Sequence, residues 1–147
     1  MDEAPMGEKS MNGSPMREKD CKEIAEALFA AMNARDPSAF AALLADAAVF
    51  HFPGTAPVEG AARIEKLLKI LFFKYPALAF ELRRVIADGH RAAVEWENRG
   101  ESRDGAPYRN AGVTVIELDG AGRVVYLSDT FKDTSFVRQG AAPGGVR

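Results

Sequence analysis

The spacing of apolar residues changes once along the chain, from a helical period in the first half to alternation in the second. Three early stretches carry apolar positions three or four residues apart, which predicts amphipathic helices over about 17–34, from Asp36 onward, and over about 59–74. Asp36-Pro37 has the form of an N-cap followed by proline at the first helical position, and Pro76 ends the third helix. A short strand-like run around Val49 separates the second helix from the third.

Four runs in the second half alternate apolar and polar residues, which predicts strands over about 79–86, 92–98, 108–118 and 123–131. The pairs Asp88-Gly89, Asp104-Gly105 and Asp119-Gly120 separate these runs. Asp-Gly favours a hairpin because both residues tolerate positive φ. The expected fold class is therefore α+β, with three N-terminal helices packed on a curved, mainly antiparallel sheet.

A chain of 147 residues suits one domain with a single core. Residues 1–16 are rich in Met, Gly, Ser, Pro, Glu and Lys and have too little apolar surface to order themselves, so we expect a disordered tail there. Residues 140–147 contain Pro143 and Gly144-Gly145 and are also expected to be disordered. The predicted domain covers residues 17–139.

Composition narrows the classes of function. The formal net charge is −2 and the sequence has no dense Lys/Arg face, which argues against a nucleic-acid partner. The lone Cys21 excludes an internal disulfide and a cysteine-rich zinc site. No apolar run approaches membrane-spanning length, so we expect a cytoplasmic protein with no membrane association. The sequence contains no metal-ligand cluster, phosphate-binding glycine loop or nucleophile elbow, so neither a metal nor a cofactor is expected.

Several segments, taken in order, resemble the NTF2-like superfamily, and within it the SnoaL-like and ketosteroid-isomerase-like branch. The resemblance runs from about Ile24 to Phe136. Its carriers are Met32-Asn-Ala-Arg-Asp36, Leu44-Ala-Asp-Ala-Ala-Val49, Gly60, Tyr108-Arg-Asn-Ala-Gly-Val113 and Leu118-Asp-Gly-Ala-Gly-Arg-Val-Val125.

The resemblance implies a cone-shaped half-barrel with an apolar pocket between sheet and helices. It also implies a small hydrophobic molecule as ligand and a homodimer formed through the sheet. Because the superfamily includes isomerases, cyclases, hydrolases, dehydratases and binding modules, the fold alone does not set the function.

Compared with the ketosteroid isomerases, the matching positions differ at the catalytic groups. The position of their general base corresponds to His51, that of their helix-one tyrosine to Leu28, and that of their sheet aspartate to about Thr114. Two of the three groups are missing, which argues against steroid isomerisation by that mechanism.

His51 and Asp129 are the remaining candidates for catalysis. Asp129 shares strand parity with the apolar Val125, Leu127 and Phe131, and a carboxylate on an apolar face costs several kcal/mol unless it finds a partner. SnoaL-type cyclases and epoxide hydrolases carry an aspartate at about this place. The hypothesis is that Asp129 lines the pocket and pairs with His51, directly or through water, and that the imidazole acts as general acid or base while the carboxylate fixes its tautomer.

Structural explanations for both residues stay open. A single histidine in a strand is often half-exposed, and Asp129 could satisfy backbone amides at a bulge or point outward after a one-residue slip.

Glu95 and Glu97 invite a catalytic interpretation, but the alternation favours Trp96 facing the interior and the glutamates facing solvent or a dimer partner. Epoxide hydrolases of this fold have a charged Arg-Xaa-Asp on the equivalent strand, from which this chain departs.

Further side chains are candidates for contacts with a ligand. Polar contacts are expected from three residues that share strand parity, namely Tyr108, Asn110 and Thr114, and apolar walls from Trp96, Phe29, Phe50, Phe72 and Phe80. Three hypotheses follow: a cofactor-free isomerase, cyclase or hydratase; a non-catalytic module that binds a small ligand; and a dimerisation module whose pocket is filled by side chains.

Overall fold

A computed structural model describes residues 18–133, which contain three helices and six strands. The helices are α1 (Glu18–Asn33), α2 (Pro37–Ala41) and α3 (Ala61–Lys74). The strands are β1 (Leu44–His51), β2 (Val58–Glu59), β3 (Ala79–Asp88), β4 (Arg91–Glu101), β5 (Pro107–Leu118) and β6 (Val124–Phe131). The expected tails over residues 1–16 and 140–147 lie outside the described residues.

All six strands form one curved sheet in the order β2-β1-β6-β5-β4-β3. Strands β3 to β6 are the predicted antiparallel meander, but β1 pairs in parallel with β6, so the sheet is mixed. This parallel pair joins segments far apart in sequence, and hairpin signals between neighbouring strands carry no information about it. The two-residue β2, which pairs with Val49 and Phe50, is too short for its period to be recognised.

The first two predicted hairpins turn at their Asp-Gly pairs, but the third turn has a different geometry. Its positive φ, 82°, belongs to Gly122 and not to Gly120. The Asp119 carboxylate accepts hydrogen bonds from the amides of Ala121 and Arg123 and so closes a longer loop.

The core lies between the inner face of the sheet and the helices. Helix α1 packs on β3 and β4, and α3 packs on β1 and α2. Even-numbered residues of β4 and β5 face inward, and the largest fully buried side chain among them is Trp96, which is 1% exposed. On the outer face, Glu97 pairs with Arg83 at 2.9 Å and Glu95 contacts Lys132 at 3.5 Å. The expected inward orientation of Trp96 is therefore confirmed.

The end of α1 is joined to the start of β3 by side-chain hydrogen bonds to the backbone. The Asn33 amide donates to the Phe80 carbonyl at 3.0 Å, and its Oδ1 accepts from the Phe80 N–H at 2.8 Å. Arg35, at a φ of 54°, donates to the carbonyls of Pro76 and Leu78. These contacts explain why the segment 32–36 contains Asn33 and Arg35, because the two side chains hold the edge of the sheet against the helix.

The predicted N-cap of α2 is confirmed, since Asp36 Oδ1 accepts a hydrogen bond from the Ala39 amide at 3.0 Å.

Within residues 18–133, the structure has no helix long and apolar enough to cross a membrane. The outer face of the sheet exposes Ile86 and Val115, which are 58% and 38% accessible. The expected homodimer through this face stays a prediction.

Candidate active site

A cavity of about 320 Å³ lies between the inner face of the sheet and helices α1 and α3. Six rings in edge-to-face contact cross its wall, with centroids 5.3 to 5.8 Å apart, in the order Phe29, Phe80, Trp96, Phe131, Phe52 and Phe50. Such contacts make the wall apolar and hold each ring in place. The cavity is large enough for a small organic molecule of one to three rings.

A buried hydrogen-bonded chain joins three strands at this wall. The Trp96 indole Nε1 donates to Thr114 Oγ1 at 2.9 Å, and the Thr114 hydroxyl donates to Asp129 Oδ1 at 2.7 Å. An indole N–H can only donate, so Thr114 accepts from Trp96, and its own proton is donated to the Asp129 carboxylate. Thr114 and Asp129 are register partners on β5 and β6, so the sheet itself sets their distance.

The apolar surroundings alter the acidity of Asp129. Desolvation raises the pKa of its carboxyl group from 3.8 to about 7, and the hydrogen bond from Thr114 opposes part of this rise. The side chain is of intermediate exposure, because one side of it borders the cavity. A carboxyl group with a pKa near 7 can both accept and donate a proton at neutral pH.

The alternation of inward and outward residues expected around Asp129 on β6 holds except at one position. Leu127 and Phe131 line the cavity with it, as expected, but the register of β5 and β6 shifts before Tyr126. Val124 therefore takes the buried position next along β6, in place of the expected Val125, which is only half-buried.

The structure does not bring His51 and Asp129 together. The parallel register aligns Phe50 with Leu127 and His51 with Ser128, so the first pair faces the core and the second faces outward. The His51 side chain is exposed, and its ring lies 5.3 Å from that of Tyr126. The expected His51–Asp129 pair is thus corrected, because adjacent residues of a strand face opposite sides of the sheet.

The other predicted ligand contacts are mostly at the cavity. Six of them line it, namely Phe29, Phe50, Phe80, Trp96, Tyr108 and Thr114. Phe72 packs against the core instead and is not part of the lining.

Asn110 is buried but is not among the lining residues, and its hydrogen bonds give it a different role. Its Oδ1 accepts from the amides of Asp133 and Ala111, and its Nδ2 donates to the Asp133 carbonyl and, at 3.4 Å, to Tyr108 Oη. Asn110 therefore ties the end of β6 to β5.

Asn98 is a cavity residue that sequence reasoning did not select. It lines the cavity, is 6% exposed, and its Oδ1 has no hydrogen-bond partner within residues 18–133. It shares the inner face of β4 with Val94 and Trp96. An asparagine on an otherwise apolar face was the available signal.

The described residues contain no group of three His, Cys, Asp or Glu side chains that could hold a metal ion. The polar lining instead consists of the hydrogen-bonded Thr114 and Asp129 and a few other polar side chains in an otherwise apolar interior. Such a site can move a proton or bind a neutral molecule with its own side chains.

The six-stranded mixed sheet with three helices defines an α+β protein of the NTF2-like class. Residues 25–127 match the family model of the SnoaL-like domain, and the chain belongs to this family. No protein of curated function matches the chain.

The solved structures with the same fold include proteins of unknown function and proteins assigned as enzymes. A protein of Jannaschia sp. CCS1 assigned as a SnoaL-like polyketide cyclase superposes with a TM-score of 0.74 at 17% identity, covering 88% of this chain and 96% of that one. A protein of Bacillus subtilis assigned as an isomerase gives 0.72 at 27% identity, with 84% and 94% covered. A protein of Kribbella flavida assigned as a ketosteroid isomerase gives 0.64 at 25% identity, with 79% and 80% covered.

Proposed function

We propose that this chain is a cofactor-free acid/base enzyme that moves a proton on a small apolar carbonyl compound, and that Asp129 carries the proton. The observation that supports this most directly is a carboxyl group of pKa about 7 held by Thr114 at the wall of an apolar cavity. Solved structures of this fold include proteins assigned as isomerases or as a polyketide cyclase, and these assignments are consistent with the proposed proton transfer.

The reaction step is proton abstraction next to a carbonyl group. The Asp129 carboxylate takes a proton from the carbon, and the pair of the broken C–H bond becomes the C=C bond of an enolate while the carbonyl π pair moves to oxygen. In a β,γ-unsaturated ketone the anion is a dienolate, and the protonated Asp129 returns the proton to its γ-carbon, which shifts the double bond and isomerises the substrate. In a diketone the enolate carbon instead attacks the second carbonyl, the π pair of that carbonyl moves to its oxygen, and Asp129 gives its proton to this alkoxide as the ring closes.

Thr114 orients the carboxyl group for this step. Its hydroxyl donates to Oδ1, so Oδ1 is held as an acceptor and Oδ2 is left to take the substrate proton. The Trp96 N–H in turn fixes the rotamer of Thr114. Thr114 and Trp96 are therefore positioning residues, and Asp129 is the group that exchanges the proton.

The apolar cavity serves the reaction in two ways. It keeps the pKa of Asp129 near neutrality, which matches the operating pH. Its apolar lining also leaves few groups besides Asp129 that can exchange a proton with the enolate. The exposed His51 has no part in this mechanism.

The test is exchange of the α-protons of 2-tetralone in D₂O, followed by ¹H NMR. We expect the protein to accelerate exchange, with a rate that rises with pH through about 7 because the carboxylate is the base. Asp129→Asn removes the base and is expected to slow the protein-dependent exchange by about 100-fold or more.

Asp88→Asn, which changes an exposed carboxylate at the first hairpin, is the matched control and retains full exchange. If 2-tetralone binds and Asp129→Asn leaves its exchange unaltered, the proposal is wrong. If it binds to the wild type without any exchange, the chain is instead a binding module with the same cavity.

A further inference from the structure

At one end of the cavity, the sheet carries two polar side chains that the proton transfer does not use, and the ring of Tyr75 lies 5.0 Å from that of one of them, Tyr108. Asn98 and Tyr108 lie on the inner faces of β4 and β5, and both line the cavity. Asn98 is the register partner of Asn110, and Tyr108 is the next inward residue of β5. The two side chains are therefore neighbours.

The unpartnered Asn98 oxygen is the first observation that points to a ligand. Asn98 is only 6% exposed, yet its Oδ1 has no hydrogen-bond partner in the described part of the chain. A buried carbonyl oxygen without a partner costs about 1–3 kcal/mol, so this oxygen gains stability from a hydrogen bond with a bound ligand or water.

The second observation is the direction of the hydrogen bonds around Tyr108. Asn110 Oδ1 already accepts from two backbone amides, which fixes its Nδ2 as the donor to Tyr108 Oη at 3.4 Å. Asn98 also makes a side-chain hydrogen bond to Tyr108 that, like the one from Asn110, lowers the pKa of the phenol, so both amides donate to Oη. The phenol oxygen thus acts as an acceptor, and its own proton is left to donate. Desolvation raises the pKa of Tyr108, so the phenol keeps this proton at neutral pH.

An acceptor and a donor beside each other are complementary to a hydroxyl group. A hydroxyl can donate to Asn98 Oδ1 and accept from the Tyr108 O–H at once, whereas a carbonyl oxygen could only accept. A carboxylate would be repelled, because its negatively charged oxygens would lie beside the oxygen of Asn98. The cationic side chain on the cavity lining, Lys74, does not offset this repulsion, because it is exposed to solvent.

We propose that Asn98 and Tyr108 form a polar subsite that anchors a hydroxyl group of the substrate at the end of the cavity remote from Asp129. The register places Asp129 beside Thr114 and Asn98 beside Asn110. Four residues of strand, about 13 Å, therefore separate the two groups before the curvature of the sheet shortens the distance.

This inference rests on the proposed function and names its substrate class. The substrate is an elongated, mostly apolar carbonyl compound whose reacting carbon lies at Asp129 and whose hydroxyl lies at the opposite end.

The test compares two probes that differ by one hydroxyl group, 6-hydroxy-2-acetylnaphthalene and 2-acetylnaphthalene, by isothermal titration calorimetry. We expect the wild type to bind the hydroxyketone about ten-fold more tightly, as two hydrogen bonds in a desolvated site would give. Asn98→Leu is expected to abolish this preference while the plain ketone still binds, and Tyr108→Phe is expected to reduce it. Arg99→Gln, an exposed neighbour on β4, is the matched control.

Thermal unfolding of the free protein separates a ligand-binding asparagine from a structural one. Asn98→Leu removes the unpartnered oxygen and is expected to leave the Tm equal or higher, whereas loss of a structural hydrogen bond would lower it. Equal affinities of the two ketones for the wild type, failure of the hydroxyketone to bind, or a preference that survives Asn98→Leu would each overturn the proposal.

The outcome is separable from that of the proton transfer. Asp129→Asn is expected to keep the preference for the hydroxyketone, because the subsite lies at the other end of the cavity. A preference without any proton exchange would refute the proposed function alone, and exchange without a preference would refute the subsite alone.

Discussion

The Thr114 hydroxyl donates a 2.7 Å hydrogen bond to Asp129 Oδ1, and this contact opposes the desolvation that raises the pKa of the carboxyl group. The pKa of the base therefore depends on two effects of opposite sign, burial and the hydrogen bond from Thr114. Because the donor is on β5 and the acceptor is its register partner on β6, the pairing of the strands sets the contact.

Replacement of Thr114 by valine is expected to raise the pKa of Asp129 above 7, because desolvation then acts without the opposing hydrogen bond. The pH at which 2-tetralone exchange reaches half its maximum shifts upward with it. Thr114→Ser keeps the hydroxyl and is expected to restore the wild-type midpoint. The measurement is the pH profile of exchange together with a ¹³C NMR titration of the carboxyl carbon. An unchanged midpoint in Thr114→Val would contradict the assigned role of the hydroxyl.

The raised pKa of Asp129 also predicts how stability depends on pH. Between about pH 4 and pH 7 the unfolded chain releases this proton while the folded protein keeps it, so the contribution to folding is present below pH 4 and is lost as the pH rises to 7. Asp129→Asn removes this loss. At pH 8 the variant is expected to be more stable than the wild type by on the order of 3 kcal/mol, allowing for the partial exposure of the side chain.

The measurement for this prediction is the free energy of unfolding in urea at pH 4.5 and pH 8, compared between Asp129→Asn and the wild type. Asp88→Asn again serves as the control, because that carboxylate is exposed. Parallel pH dependences of Asp129→Asn and the wild type would show that the Asp129 carboxyl is not desolvated in the folded protein.

Much of the fold could be predicted because its signals are local. The N-cap at Asp36, the helical period of α3 and the first two Asp-Gly hairpins each depend on residues a few positions apart. The parallel pairing of β1 with β6 depends on segments about 80 residues apart, and no short-range pattern indicates it.

The site could be predicted only in part, and the reason is strand parity. Asp129 was placed on the inner face because its neighbours at alternate positions, Leu127 and Phe131, are apolar. The same argument applied to Phe50 and Phe52 would have placed both rings inward and His51 outward, as the structure has them. Asn98 shares its face with Trp96, and its parity marked it as a buried polar residue.

Gly112 provides the space that the Trp96 indole needs to reach Thr114. A Cβ at this position would lie 2.8 Å from Trp96 Cζ2 and would collide with the Thr130 carbonyl oxygen. Gly112→Ala is expected to destabilise the protein by about 1–3 kcal/mol and to displace the indole from its acceptor. The measurements are urea unfolding and the tryptophan emission maximum, which reports on the one indole of the chain.

Gly120→Ala is the matched control for that substitution, since a Cβ there meets no atom within 4 Å. It is expected to leave both stability and emission unchanged. Wild-type stability and emission in Gly112→Ala would show that the close packing of Trp96 on β5 is not needed for the site.

Asn33 is expected to control the order of the cavity edge as well as overall stability. Its side chain makes two hydrogen bonds with the backbone of Phe80, whose ring packs edge-to-face with Phe29 and Trp96. Asn33→Ala leaves this end of β3 without its link to α1, which is expected to cost about 1–3 kcal/mol. Hydrogen–deuterium exchange at the Phe80 amide should accelerate more than exchange in β5, because the opening is local. Glu26→Ala, at an exposed position of α1, should change neither quantity, and uniform acceleration across the sheet in Asn33→Ala would show that the link supports the whole fold and not the cavity edge.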